Sequence, residues 1–368
     1  MILGFIGLLG SLALMIYLTM RGVNLLIAAP FAAFIAAIFS GITIFPQLAS
    51  EGAPDFITSY MGGFTGFISS WWLMFLAGAI FGKVMEDSGA ADSVSKWIVE
   101  KIGAKHAILA VVVACAVLTY GGVSLFIVAF SVFPMALSLF KEANLPRRFI
   151  PGTLALGSVT FTMTSAGSPE IQNWIPIEHL GTTPYAGWQV SLIVAIFMAV
   201  IGYFWLKWMI GRAVARGETF VAKESDQFEH EEIRPLPNPL LSLLPLVVVL
   251  GFSFIFHDTL GTSALIIALL GGIITAYLVS FKYMQNREKA IADGALGAII
   301  AIANTAAVVG YGGVVKQTAA FLQTVDYMTN IPGNPLIGGA IAVAVLAGLT
   351  GSSSGGQSIA LPLIAPHY

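Results

Sequence analysis

Stretches of about 20 consecutive apolar residues recur along this whole chain, and one such stretch is what a helix needs to cross a bilayer. Residues 2–20, 25–45, 188–209, 240–256 and 263–281 all have this character. None alternates apolar and polar side chains as a barrel strand does, so each backbone must satisfy its hydrogen bonds within a helix. The rest of the composition leaves no soluble alternative. Of 368 residues, 57% are hydrophobic and 10% charged, where a soluble domain carries about 25% charged residues. Too few polar side chains remain to cover a water-facing surface. The expected fold class is an all-α polytopic membrane protein.

The first apolar stretch is expected to persist as a span. No basic residue precedes it, it has no small-residue cleavage site, and Arg21 follows it directly, unlike a secretory signal. Cys115 is the only cysteine, which excludes an intramolecular disulfide. No basic aromatic patch, zinc spacing or nucleotide loop points to nucleic acid, a metal or ATP. The five histidines fall near segment ends or in loops, at no metal-binding spacing.

Lys and Arg orient the spans, because cytoplasmic loops of membrane proteins are enriched in them. With the N-terminus outside, span one ends inside at Arg21. Span two returns outward to residues 46–64, which carry Glu51 and Asp55 but no Lys or Arg. Residues 64–81 cross inward to Lys83, Lys96, Lys101 and Lys105, and residues 89–103 read as an interfacial helix. Residues 106–140 start and finish on the basic side, with a Gly-Gly break halfway, and read as a re-entrant hairpin. Each arm has about 16 residues, short of a crossing; two full spans with a tight external turn are the alternative. Residues 149–176 cross outward and 188–209 return. Two further spans follow, and 291–313 cross outward to Lys316. The scheme puts 16 of the 17 Lys and Arg inside, with Lys316 the exception.

A shift of 230 residues lays Phe81-Gly82-Lys83-Val84 on Tyr311-Gly312-Gly313-Val314 and residues 119–124 on 349–354. Nine of the 44 pairs from 81 to 124 are identical, so the order of elements carries the register more than identity does. Each repeat then holds five crossings and a hairpin. Five is odd, so the copies are inverted, and inverted-topology repeats with re-entrant helical hairpins and broken transmembrane helices are typical of secondary transporters. The expected division is a first repeat over 1–210, a cytoplasmic linker over 211–237 and a second repeat over 238–368. By this register repeat two would run to about residue 440. The expectation is that the sequence is a fragment, cut within its second hairpin.

Three irregular segments are expected at membrane depth. One is the first hairpin tip, with Gly121, Gly122 and Ser124. The second breaks a crossing with Thr164, Ser165, Gly167, Ser168, Pro169, Glu170, Gln172 and Asn173, where proline and paired small residues interrupt the helix. The third is the second tip, with Ser352, Ser353, Ser354, Gly355, Gly356 and Gln357. Half-helix N-termini attract carboxylates, and freed carbonyls and hydroxyls can hold a cation. These residues are candidates for substrate binding; the other reading is close helix packing. Glu170 is the candidate for a coupling proton, since intramembrane acids are functional by default; it could instead lie near the external surface, capped by Asn173. Asn304 could bond between helices or face the ligand.

Residues 350–361 resemble the late small-residue motif of the gluconate permease (GntP) family, within the ion transporter superfamily. Residues 164–176 resemble its hydroxybutyrate permease-like branch. The resemblance implies a bacterial inner-membrane symporter that imports small organic anions, usually with protons, as a homodimer with an elevator-like motion. The sequence departs from the gluconate branch at Ser165–Asn173, where a proline- and histidine-rich break is expected. That favours a hydroxy-monocarboxylate such as 3-hydroxybutyrate over gluconate. No cofactor beyond the coupling ion is expected. Sodium is the alternative to the proton, and a membrane-embedded enzyme or a scaffold subunit is the remoter alternative.

Overall fold

The structure, a computed structural model, describes residues 2–123, 125–163, 165–222, 235–284, 286–329, 335–350 and 353–367. Ser124, Thr164 and Ser352, expected to bind substrate, therefore lie outside the described residues. In chain order the helices are α1 (Ile2–Met20), α2 (Leu25–Ser40), α3 (Phe56–Asp87), α4 (Ala90–Ile102), α5 (Ala107–Tyr120), α6 (Leu125–Glu142), α7 (Ile150–Ala155), α8 (Ile175–Leu180), α9 (Trp188–Ala215), α10 (Pro239–Ser242), α11 (Leu244–Leu260), α12 (Ser263–Ser280), α13 (Arg287–Val315), α14 (Ala319–Thr329), α15 (Pro335–Thr350) and α16 (Ser353–Ile364). Among the described residues no strand forms, only an isolated bridge between Thr43 and Asp55. Among the described residues six segments are long and apolar enough to cross a membrane: α1, α3, α9, α10 with α11, α12 and α13. The protein is an all-helical, multi-pass membrane protein.

Caps explain where helix ends differ from the sequence reading. The second apolar run continues to residue 45, but α2 stops at Ser40. Gly41 adopts φ +70, and Ile42 donates to the Ala37 carbonyl at 2.9 Å, closing the helix with a Schellman bond. The third span begins at Phe56 rather than 64, because the Asp55 carboxylate accepts the Thr58 N–H at 2.8 Å and caps the N-terminus. The Asn286 side chain likewise accepts the Lys289 N–H at 3.1 Å, so α13 starts near Arg287.

The chain forms two compact units. The first comprises Met1–Phe75, Ile175–Thr182 and Ala298–Tyr368. Within it α1 lies on α2 through an alanine face: Ala28, Ala29, Ala32, Ala33, Ala36 and Ala37 are fully buried, at spacings that share one side of a helix. A Cβ at Gly7 would lie 2.3 Å from the Phe39 Cβ. Membrane helices have no hydrophobic drive toward each other and pack instead by such close approach of small residues. A buried 2.9 Å hydrogen bond between the Ser11 and Tyr311 hydroxyls ties α1 to α13.

The second unit comprises Leu76–Trp174 and Thr183–Gly297. Here α11 and α12 form a tight pair, and a Cβ at Gly272 would fall 2.4 Å from Val249 Cγ2. The short α4 is charged at its ends, with Asp92 in the first turn and Lys101 in the last, matching the helix dipole. Its Ser93 hydroxyl donates to the Pro237 carbonyl at 2.6 Å. The Arg148 guanidinium grips Glu218 with two 2.8 Å hydrogen bonds. On α9, Val190, Leu192, Ile193, Ile196 and Phe197 are all exposed, an apolar surface that only lipid or another membrane helix would cover.

Candidate functional site: a helix break against a hairpin tip

The crossing that begins at Ile150 loosens before it breaks. After α7, residues Leu156–Thr160 widen into a π turn, a feature frequent at functional sites. The side chains explain the widening. The Ser158 hydroxyl donates to the Leu154 carbonyl at 2.7 Å, Thr160 to Leu156 at 2.7 Å, and Thr162 to Gly157 and Ser158 at 2.9 and 3.0 Å. Such back-bonding competes with the helical ladder and bends it. Gly157 sits so close to α5 that a Cβ there would be 2.5 Å from the Val112 carbonyl oxygen. The helix then ends, and Gly167 takes φ +79, a left-handed conformation open mainly to glycine. Regular structure resumes with a 3₁₀ turn at Ile171–Asn173.

Side chains hold this break in shape. The Asn173 amide donates to the Ser165 carbonyl and, at 3.2 Å, to the Ser168 carbonyl. The Trp174 indole N–H reaches the same Ser168 carbonyl at 3.3 Å. The Tyr120 hydroxyl donates to the Ala166 carbonyl at 2.9 Å, and the Ala166 N–H donates to the Ser191 hydroxyl at 2.9 Å. The Gly167 N–H bonds the Pro184 carbonyl at 2.8 Å, and a Cβ on Gly167 would meet Tyr185 Cε1 at 2.4 Å. Tyr185 is itself 3.3 Å from the Ser253 hydroxyl.

The first hairpin tip meets this break. Helix α5 closes as Val123 donates to the Leu118 carbonyl at 3.0 Å, with Gly122 at φ +89. A Cβ on Gly122 would be 3.1 Å from Pro169 Cγ, and one on Gly121 would be 2.7 Å from Leu246. Gly121, Gly122, Ser165, Gly167, Ser168 and Asn173 are thus brought together in one unit, with Glu170 and Gln172 in the same loop. Thr119 Oγ1, in the last turn of α5, and Ser168 Oγ, in the break, are fully buried and have no hydrogen-bond partner among the described residues. No Lys or Arg occurs between residues 149 and 206.

Several sequence expectations change here. Asn173 positions the break through two carbonyls and does not cap the Glu170 carboxylate. No described hydrogen bond or ion pair engages that carboxylate. In the first unit, Ser353, Ser354, Gly355, Gly356 and Gln357 form the first turns of α16 rather than an irregular tip. The glycine has a packing reason, since a Cβ on Gly356 would lie 2.4 Å from the Ala347 backbone. The Gln357 Oε1, Ser358 Oγ and Asn304 Oδ1 atoms are buried without a partner among the described residues, so this Asn304 oxygen makes no bond between the described helices. Thr119, Tyr120, Trp174 and Tyr185 were missed as site residues. Thr119 and Tyr120 are polar positions at the end of an apolar arm, a signal available in the sequence; nothing in it places Tyr185 against Gly167. Among the described residues no group of three His, Cys, Asp or Glu could hold a metal.

Comparison with known proteins agrees with a transport role. A family model described as citrate transporter matches residues 9–364. The uncharacterized transporter YxjC of Bacillus subtilis is 35% identical over 396 aligned residues, covering 97% of this chain and 82% of the relative. An uncharacterized permease of Haemophilus influenzae is 23% identical over 364 residues, covering 90% of this chain and 71% of the relative. An uncharacterized transporter of the same organism is 26% identical over 221 residues, covering 60% and 50%. These matches do not single out the gluconate permease branch that the motifs resemble. The chain belongs to the citrate transporter family (CitMHS).

Proposed function

We propose that this protein is a secondary active symporter that imports a small hydroxy-carboxylate across the bacterial inner membrane, with protons, as a homodimer whose N-terminus is periplasmic. The observation that carries this reading is that Ser168, in the helix break, and Thr119, in the last turn of the α5 arm, bury hydroxyls with no partner among the described residues. A buried hydroxyl without a partner costs about 1–3 kcal/mol, and a ligand that completes its hydrogen bonding gives that cost a purpose. The surrounding amides and hydroxyls suit a carboxylate and an adjacent hydroxyl.

Charge favours 3-hydroxybutyrate, or a gluconate-like acid, over citrate. Three carboxylates in a low-dielectric site need compensating cations, and residues 149–206 supply none. Glu170 is the residue we assign to the coupling proton. Sodium is the second reading, favoured by the same hydroxyl oxygens, which are neutral oxygen ligands.

Uptake into vesicles under separately imposed proton and sodium gradients tests both. Accumulation driven by the proton gradient alone is expected, and Glu170→Gln is expected to abolish accumulation while leaving substrate exchange. Accumulation that survives collapse of the proton gradient would overturn proton coupling.

A further inference from the structure

Outside the break and the hairpins, the first unit contains a cleft of about 370 Å³. It lies between the entry to α3 and the end of α13. Its polar lining is Asp55, Thr58, Ser59, Lys316 and Gln317, and Gly63 is part of its wall. Lys316 is the basic residue that the charge pattern leaves outside, against the tendency that keeps Lys and Arg on the cytoplasmic side. It is exposed, and no hydrogen bond or ion pair of its ammonium is found among the described residues. Asp55 is buried, at 7% exposure, and spends one carboxylate oxygen on the Thr58 N–H.

We propose that this cleft is a peripheral capture site for the substrate anion, in which Lys316 takes the carboxylate and the Thr58, Ser59 and Gln317 side chains take the hydroxyl. The proposal rests on the carboxylate-import reading above and adds a second, outer site to it. The cleft is several times larger than a four-carbon hydroxy acid, so the anion enters with water and binds weakly, as a staging site must if it is to release its ligand inward. The cleft's lining holds one ammonium, Lys316, and one carboxylate, Asp55. A monocarboxylate therefore gains the Lys316 contact, whereas each added carboxylate on the ligand meets Asp55 with no further cation. The cleft selects for single charge.

Purified full-length protein in proteoliposomes tests this with sodium 3-hydroxybutyrate, gluconate and citrate as probes. Acylation of Lys316 by a membrane-impermeant amine reagent, followed by mass spectrometry, should be slowed by 3-hydroxybutyrate and gluconate and much less by citrate. The protection should persist in Ser168→Ala, which leaves the outer cleft intact. In uptake at low salt, Lys316→Gln should raise the half-saturating concentration roughly fivefold, the weight of one solvent-screened charge contact, with the maximal rate unchanged. Lys316→Arg should stay near the parent, and added salt should shrink the difference. Asp55→Asn keeps the helix cap and should let citrate protect as well. Transport without Lys316 protection would overturn the capture site and leave the import reading standing. Protection without transport would do the reverse. An unchanged half-saturating concentration in Lys316→Gln would also overturn the proposal.

Discussion

A hydroxyl buried without a partner gives up its hydrogen bonds to water and receives none in exchange, so removing it should not weaken the fold. Thr119 and Ser168 are fully buried and lack partners among the described residues, which separates stability from function at these two positions. Ser168→Ala and Thr119→Val are expected to leave the melting temperature of the detergent-purified protein unchanged or slightly raised. Each should cut carboxylate uptake about tenfold, the loss of one hydrogen bond in a desolvated site. A melting temperature lowered by several degrees would show that these hydroxyls serve packing. Ser168 was visible in the sequence as part of a polar run where an apolar crossing belonged. Thr119 was harder to single out, because its neighbours Val117 and Leu118 make it look like one more residue of an apolar arm.

At the scale of elements, the break between α7 and α8 is written in local chemistry. Ser158, Thr160 and Thr162 loosen the helix by back-bonding, and Gly167 turns it. Gly167→Ala would force a side chain into a left-handed backbone and against Tyr185. It is expected to destabilise the protein by about 1–3 kcal/mol and to lower the melting temperature, in contrast to Ser168→Ala. Equal melting temperatures would mean that the break tolerates a Cβ. Local chemistry also made this element legible: proline and paired small residues inside a crossing mark a helix break. The start of α16 was not legible. Gly and Ser runs look the same whether they form a turn or press one helix onto another, and at Gly356 the Ala347 backbone decides it. The extent of α3 was half legible, since Asp55 is a good cap residue but sits ahead of polar Thr58 and Ser59, which do not look like the start of a span.

The whole molecule shows why spans were easier to read than their arrangement. Apolar length announces a membrane helix, and α1, α9, α12 and α13 appear close to where hydropathy puts them. The inverted repeat expected over 1–210 and 238–368 depends instead on topology, and labelling can test the orientation it requires. Cys115 is the only cysteine and is buried, so Cys115→Ala gives a clean background. In it, Thr182→Cys is expected to react with an impermeant maleimide from outside intact cells, and Thr219→Cys only after permeabilisation. The opposite pattern would invert the proposed orientation. The substrate itself is the least legible property, because hydroxyls and amides accept many hydroxy acids and the family shows transport more firmly than cargo.

The central claim is concentrative import of a small hydroxy-carboxylate through the helix break that holds Ser168. Its most direct test is radiolabelled 3-hydroxybutyrate uptake by proteoliposomes containing the purified protein, with the interior made alkaline. Accumulation above equilibrium is expected, with unlabelled 3-hydroxybutyrate and gluconate competing and Ser168→Ala largely removing it. Failure of 3-hydroxybutyrate, gluconate and citrate alike to accumulate, or full accumulation in Ser168→Ala, would contradict it.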